Sequence, residues 1–247
     1  MIALRSLLFS IVFFGGTFVL SVAGTVVAPF APRALPWFAT AYARLGIWAA
    51  RVLCGIRLEV TGWENLPAGP ALIASRHQSA FDTFVWFTLV PRCCYVLKRE
   101  LLRIPLMGRL IGSAGMIAID RDGGGRTIRA LVKDGKRAAE AGKQIVIFPE
   151  GTRAGPGEML PLQPGVAALA AGTGLPVIPV LTDSGLYWGR RAFRKYPGTL
   201  HIVIRPALPT GLKREDLMRR LHRELQTEIP LIIRPVDKSV GHSPGKR

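Results

Sequence analysis

Between Ser6 and Pro32 the chain carries no charged residue, and this run constrains the fold more than any other feature. Its apolar part, Leu7 to Val27, would as one helix reach about 31 Å at ~1.5 Å per residue, enough to cross the hydrocarbon core of a bilayer. The stretch is therefore predicted to anchor the chain to a membrane. A cleaved signal peptide is the competing reading, because Arg5 precedes the run and the small residues Ala23 and Gly24 follow part of it. Against that, the run outlasts the ~7–15 residue apolar core of such a peptide.

The next segment, Trp37 to Leu53, is different in kind. Arg44 and Arg51 lie seven residues apart and so share a helical face, while Trp37, Tyr42 and Trp48 suit the level of lipid headgroups. It reads as an interfacial helix, which with the first would form either a helical hairpin or a span followed by a surface helix. An ordinary buried helix is the alternative.

From about Arg57 onward, short apolar runs alternate with helical stretches, the pattern of an α/β domain. Predicted strands are Ala71–Ser75, Tyr95–Lys98, Met116–Ile119, Gln144–Phe148, Val177–Leu181 and His201–Arg205. Predicted helices are Ser79–Leu89, Arg126–Ala141, Gly165–Ala171 and Arg214–Glu228. The organisation expected is a membrane-anchoring helical segment over 1–55, one catalytic-sized domain over 56–235 and a mobile basic tail over 236–247.

Lys and Arg total 33 against 16 Asp and Glu, a formal charge of +17. Such a surface attracts polyanions or anionic headgroups. No zinc-finger spacing or aromatic RNA-binding signature accompanies the charge, so with an apolar N-terminus the expected partners are membrane phospholipids rather than nucleic acid. The three cysteines, Cys54, Cys93 and Cys94, have no metal-ligand spacing, and adjacent cysteines rarely bridge. They read as small buried side chains in a reduced setting.

Two polar turns follow apolar strands. After Ala71–Ser75 comes Arg76-His77-Gln78-Ser79-Ala80-Phe81-Asp82. Residues five apart do not share a face of one helix, but His77 and Asp82 can meet if Ser79 caps a helix whose first turn holds Asp82. Asp82 would then fix the imidazole tautomer while the other ring nitrogen acts as a base. No G-x-S-x-G serine elbow is present, so the proton would come from an acceptor substrate's hydroxyl. A plain helix cap with His77 at the surface is the alternative.

After Gln144–Phe148 comes Pro149-Glu150-Gly151-Thr152-Arg153. Here Gly151 allows positive φ or close ligand approach, Thr152 offers a hydroxyl, and Arg153 can grip a phosphate or carboxylate. The alternative is a solvated turn in which Glu150 pairs with Arg153. Lys98 and Arg121 end other strands, where ligands of α/β sheets gather.

Taken together these turns resemble the glycerolipid acyltransferase family, in particular its bacterial 1-acyl-sn-glycerol-3-phosphate acyltransferases. His77 and Asp82 match its H-x-x-x-x-D block. Lys98, Glu100, Leu101, Pro105 and Gly108, then Ile119-Asp120-Arg121, match the second. Phe148-Pro149-Glu150-Gly151-Thr152-Arg153 matches F-P-E-G-T-R, and Val177-Ile178-Pro179-Val180 the last.

The resemblance implies an α/β fold with a mixed central sheet flanked by helices, joined to the N-terminal membrane-associated helices. It implies that His77 deprotonates the sn-2 hydroxyl of lysophosphatidic acid, which attacks the thioester of acyl-CoA or acyl-acyl carrier protein to give phosphatidic acid, with no metal or cofactor. Asp82 would orient His77, and Glu150, Gly151, Thr152, Arg153 and Arg121 would hold the acceptor phosphate. Lys98 would stabilise charge near the thioester oxygen. The cytoplasmic face of a bacterial-type inner membrane is the expected location.

Two residues depart from the family pattern: Arg76 stands where Asn often precedes the His, and Gln163 where Lys often stands two residues before the Gly matched by Gly165. Transfer to another lysolipid such as lyso-ornithine lipid, a thioesterase, and a non-catalytic lipid-binding membrane protein are the competing functions.

Overall fold

The computed structural model describes residues 1–120, 124–227 and 229. The tail from 236 to 247 and the predicted helix end at Glu228 lie outside the described residues. Seven strands form one sheet: β1 (Ile56–Thr61), β2 (Ala71–Ser75), β3 (Cys93–Lys98), β4 (Ile117–Ile119), β5 (Gln144–Ile147), β6 (Val177–Thr182) and β7 (Gly198–Ile204). Their order is β1-β7-β6-β2-β5-β3-β4, and every neighbouring pair is parallel except β6 with β7. The sheet is therefore mixed.

The central strands are apolar on both faces because helices cover both faces. Along β2, Ala71 and Ile73 enter one core while Leu72 and Ala74 enter the other, the two-residue alternation of a strand. The first core is closed by three helices: α1 (Ile2–Val27), α2 (Leu35–Cys54) and α3 (Asp82–Leu89), through Phe9, Phe13, Phe81, Phe84 and Trp86. A short helix, α4 (Met107–Ser113), lies beyond them and touches α1. The opposite core is closed by α5 (Gly124–Glu140), α6 (Gly165–Thr173) and α8 (Arg214–Gln226), through Leu131, Leu169, Leu217 and Leu221. One further turn, α7 (Ser184–Tyr187), joins β6 towards β7.

Strand β1 is absent from the predicted set for a physical reason. Its sequence, Ile-Arg-Leu-Glu-Val-Thr, alternates apolar with charged side chains and lacks the continuous apolar run of the inner strands, since it is an edge strand paired only with β7. The start of α3 also differs from the prediction. The helix begins at Asp82, and Ser79 sits ahead of it, its hydroxyl accepting from the Phe81 N–H at 3.1 Å.

Helices α1 and α2 pack against each other and, through α2, against α3. Only one side of α1 is used for this: Ser6, Phe9, Phe13, Ser21 and Gly24 are buried, whereas Leu4, Leu7, Leu8, Ile11, Phe14, Phe18 and Val22 are exposed. Those exposed positions recur every three or four residues and so form one apolar stripe along the helix. A stripe of this size has no place in water, and it associates the protein with a membrane.

The sequence reading of α2 needs one correction. Trp37 and Trp48 are exposed, but Tyr42 turns inward, its ring 5.4 Å from Phe13 and 5.6 Å from Phe84. Aromatic packing there outweighs the attraction of the interface for a phenol.

Gly46 of α2 sets how closely the hairpin approaches the domain. A Cβ at that position would fall 2.8 Å from Phe84 Cε2 and 2.9 Å from Phe13 Cε2, in the middle of the aromatic cluster. Gly46→Val is therefore expected to destabilise the protein by about 1–3 kcal/mol through overpacking. At Gly15 of α1 an added methyl meets nothing within 4 Å, so Gly15→Ala is expected to hold or raise stability. Thermal unfolding in detergent checks both; an unchanged midpoint for Gly46→Val would show that the hairpin is not seated on these rings.

Candidate active site

The site forms where two neighbouring parallel strands end side by side. β2 and β5 are paired from Ala71↔Gln144 to Ala74↔Ile147, so the loops that leave them emerge together. Loop residues are placed this way in open α/β sheets generally. The two loops are stitched to each other by the Ala154 N–H, which donates to the His77 carbonyl at 2.8 Å.

His77 and Asp82 meet across the turn. His77 Nδ1 lies 3.1 Å from Asp82 Oδ2, and the same oxygen accepts from the N–H of Gln78 at 2.7 Å and of Ser79 at 2.8 Å. Because a carboxylate only accepts, Nδ1 carries the proton and Nε2 is left with its lone pair. Asp82 is 2 % exposed and His77 9 %, so the pair is shielded from bulk water. The imidazole is further fixed by Phe148, stacked on it at 4.0 Å between ring centres. Tyr95 braces the other side of the turn: its hydroxyl donates to the Asp82 carbonyl at 3.0 Å and accepts from the Trp86 N–H at 3.2 Å.

Glu150 and Arg153 occupy one turn but face different ways. Gly151, at φ 72°, reverses the chain so that its N–H donates to the Phe148 carbonyl at 2.9 Å. Only glycine takes that conformation without strain. Glu150 is buried behind His77, not paired with Arg153: Oε2 accepts from the His77 N–H at 3.2 Å, and Oε1 lies 3.7 Å from Arg76 Nε. Burial pushes the Glu150 carboxyl above its ordinary range, opposed by the His77 N–H and the Arg76 charge. Arg76 is itself buried and donates to the Glu158 carbonyl at 2.5 Å. Its charge is committed to protein rather than turned to a ligand.

In front of His77 opens a cavity of about 520 Å³. His77, Gly151, Thr152, Arg153 and Lys98 line it, and its largely apolar walls come from α1, α2, α3, β3 and α4 through residues such as Leu20, Phe38, Phe87, Leu97 and Leu110. Lys98 is half exposed at the rim, with Nζ 3.8 Å from Glu100. The structure thus brings His77, Asp82, Gly151, Thr152, Arg153 and Lys98 to one place, with Glu150 behind them. Arg121 lies outside the described residues.

Three contributors were missed from the sequence. Phe148 sits within the F-P-E-G-T-R block and so had a signal, whereas Tyr95 and the Arg76–Glu150 pair are recognisable only once the strands are paired. Gln163 is exposed beside the same turn, its N–H donating to the Pro149 carbonyl at 2.7 Å and its Cγ 3.0 Å from where a Cβ of residue 151 would stand.

Comparison with known proteins shows the family. Residues 57–183 match the family model described as acyltransferase. The chain is 36 % identical over 97 % of its length to the 1-acyl-sn-glycerol-3-phosphate acyltransferase of Pseudomonas aeruginosa, covering 95 % of that protein. It is 31 % identical over 78 % of its length to the enzyme of the same description from Limnanthes alba, covering 69 % of it. The crystal structure of the 1-acyl-sn-glycerophosphate acyltransferase of Thermotoga maritima shares the fold with a TM-score of 0.63 at 22 % identity, over 90 % of this chain and 92 % of that one. The family model and the relative from Pseudomonas aeruginosa together show that this chain belongs to the acyltransferase family.

Proposed function

We propose that the protein transfers a fatty acyl group from acyl-CoA or acyl-acyl carrier protein to the sn-2 hydroxyl of 1-acylglycerol-3-phosphate, forming phosphatidic acid. The observation that carries this reading is the cavity's lining: His77 paired with Asp82, and the cations Arg153 and Lys98, in a largely apolar cavity. A single-chain lipid with a phosphorylated head and a free hydroxyl has that shape and that distribution of charge. The names of the relatives support the same acceptor.

In this mechanism His77 Nε2 takes the proton of the acceptor hydroxyl as its oxygen attacks the thioester carbonyl carbon. Asp82 stabilises the imidazolium that forms. Collapse of the tetrahedral intermediate makes the ester, breaks the carbon–sulfur bond and returns the proton from His77 to the departing thiolate. Arg153 and Thr152 hold the acceptor phosphate through charge-assisted hydrogen bonds and the Gly151 turn lets it approach the backbone. Lys98 at the rim offsets charge developing on the thioester oxygen. Glu150 serves this site from behind, by holding the His77 backbone. A cavity mouth on the cytoplasmic side of the membrane is part of this proposal, since the family resemblance implies thioester donors made there.

Incubation of the detergent-solubilised protein with lysophosphatidic acid and labelled acyl thioester is expected to give labelled phosphatidic acid, lost in His77→Ala. Asp82→Asn is expected to lower kcat by about 10³–10⁴-fold, since the amide cannot enforce the tautomer. Arg153→Ala is expected to raise KM for the acceptor by roughly ten- to a hundredfold, the loss of one hydrogen bond to a charged group. Failure to make phosphatidic acid from either donor sinks the acceptor assignment; product from lyso-ornithine lipid instead, free fatty acid without acceptor, or liposome binding without turnover would name the replacement.

Ala39 of α2 lines the cavity's apolar wall. Ala39→Phe is expected to shift preference towards shorter acyl chains with His77 chemistry intact, read from product chain lengths in a competition between thioesters.

A further inference from the structure

The segment 186–196 takes no part in the mechanism above, yet it is unlike an ordinary surface loop. It contains Arg190, Arg191 and Arg194, all exposed, and Leu186, Phe193 and Tyr196, each exposing roughly half of its surface. No Asp or Glu occurs between Ser184 and Gly198, and the flanking Asp183 is occupied by His201, whose Nδ1 lies 2.7 Å away. Exposed aromatic and aliphatic groups are costly in water, and interleaved with cations they suit the boundary between headgroups and acyl chains.

Lys195 fastens this segment to the membrane-facing hairpin. It is buried, its N–H donates to Ser6 Oγ of α1 at 2.9 Å, and its ammonium lies 4.9 Å from the Phe9 ring centre, 5.0 Å from Trp188 and 5.7 Å from Phe193. A cation held by three rings and one carbonyl, that of Phe193 at 2.9 Å, fixes the segment against the first two turns of α1. At this end of the hairpin α2 also terminates, Cys54 Sγ reaching the Arg5 carbonyl at 3.8 Å, so the exposed Arg5 and Arg51 belong to the same rim. On its other side, Arg190 Nη1 donates to the Arg153 carbonyl at 3.4 Å. The segment thus runs from the buried side of the first turns of α1 to the turn that holds Arg153.

We propose that segment 186–196 is a second membrane-docking element, which binds the anionic headgroups of the bilayer beside the active-site mouth. The inference rests on the membrane reading of α1 and extends it to a part of the catalytic domain. A lipid surface fits better than a soluble acidic protein because the segment is fastened to the N-terminal turns of the helix that carries the apolar stripe, and exposes Leu186, Phe193 and Tyr196 among its own cations. The exposed cations of α5, in contrast, lie on the opposite layer of the sheet, away from α1.

Co-sedimentation of the full-length protein with vesicles of phosphatidylcholine, alone or mixed with phosphatidylglycerol, tests this. Each cation near an anionic surface contributes about 1 kcal/mol, so Arg190→Ser/Arg191→Ser/Arg194→Ser is expected to weaken partitioning onto the mixed vesicles on the order of a hundredfold at low salt. Binding to neutral vesicles, carried by α1, is expected to persist. The matched triple variant of α5, Arg126→Ser/Arg129→Ser/Lys133→Ser, removes the same charge and is expected to leave vesicle binding near wild type. Equal losses in the two variants would mean diffuse attraction and would overturn the local site, as would unchanged binding in the first. A loop variant that binds vesicles normally but loses turnover only with the carrier-protein donor would assign the patch to a protein instead. Wild-type protein that binds neither vesicle would refute the membrane reading of α1 itself, a failure distinct from loss of the anionic increment alone.

Discussion

One oxygen atom organises the site. Asp82 Oδ2 accepts from the backbone of Gln78 and Ser79 and from the His77 ring, so a single carboxylate both closes the turn after β2 and fixes the base. Its own position follows from being the first residue of α3, which Tyr95 braces through the Asp82 carbonyl and the Trp86 N–H. Removing the carboxylate would leave two buried N–H groups without partners, each costing about 1–3 kcal/mol, while releasing the imidazole. The fold of the turn and the setting of the imidazole therefore rest on the same bonds, and the turn cannot drift without disturbing both.

The hairpin of α1 and α2 has a similar double duty. Its inward face supplies Phe9, Phe13 and Gly46 to the core, its middle supplies Thr17, Leu20, Phe38 and Tyr42 to the cavity wall, and its outward face is apolar. A separable anchor would have a self-contained interface with the domain; here the aromatic cluster through Phe13, Tyr42, Phe84 and Trp188 joins the hairpin to α3 and to the segment after α7. Membrane contact and substrate cavity are consequently opposite faces of the same two helices.

The inner strands were legible in the sequence because burial on both faces writes itself as unbroken apolar runs, as in Ala71–Ser75 and Val177–Thr182. Edge strand β1 was not, since half of its side chains answer to water. His77 and Asp82 could be paired from spacing and turn logic alone, but the alternative of a simple cap was not removable until the ring and carboxylate were seen 3.1 Å apart. Glu150 shows the limit of such reading. Neighbours in sequence around a glycine at positive φ point in different directions, and only the fold reveals that Gly151, Thr152 and Arg153 face the cavity while Glu150 faces His77 and Arg76.

That orientation also gives physical sense to the two departures from the family pattern. Arg76, where Asn often stands, reaches Glu150 on one side and the Glu158 carbonyl on the other, a span too long for an asparagine. It neutralises a carboxylate whose burial would otherwise be costly, and it ties the far end of the anion-facing loop to the base of the site. Gln163, where Lys often stands, leaves that loop one cation poorer on its exposed side. Arg190, whose guanidinium bonds the Arg153 carbonyl, brings a cation to the same turn from the 186–196 segment. The cation beside this turn thus comes from a different element of the fold, one that is itself fastened to α1.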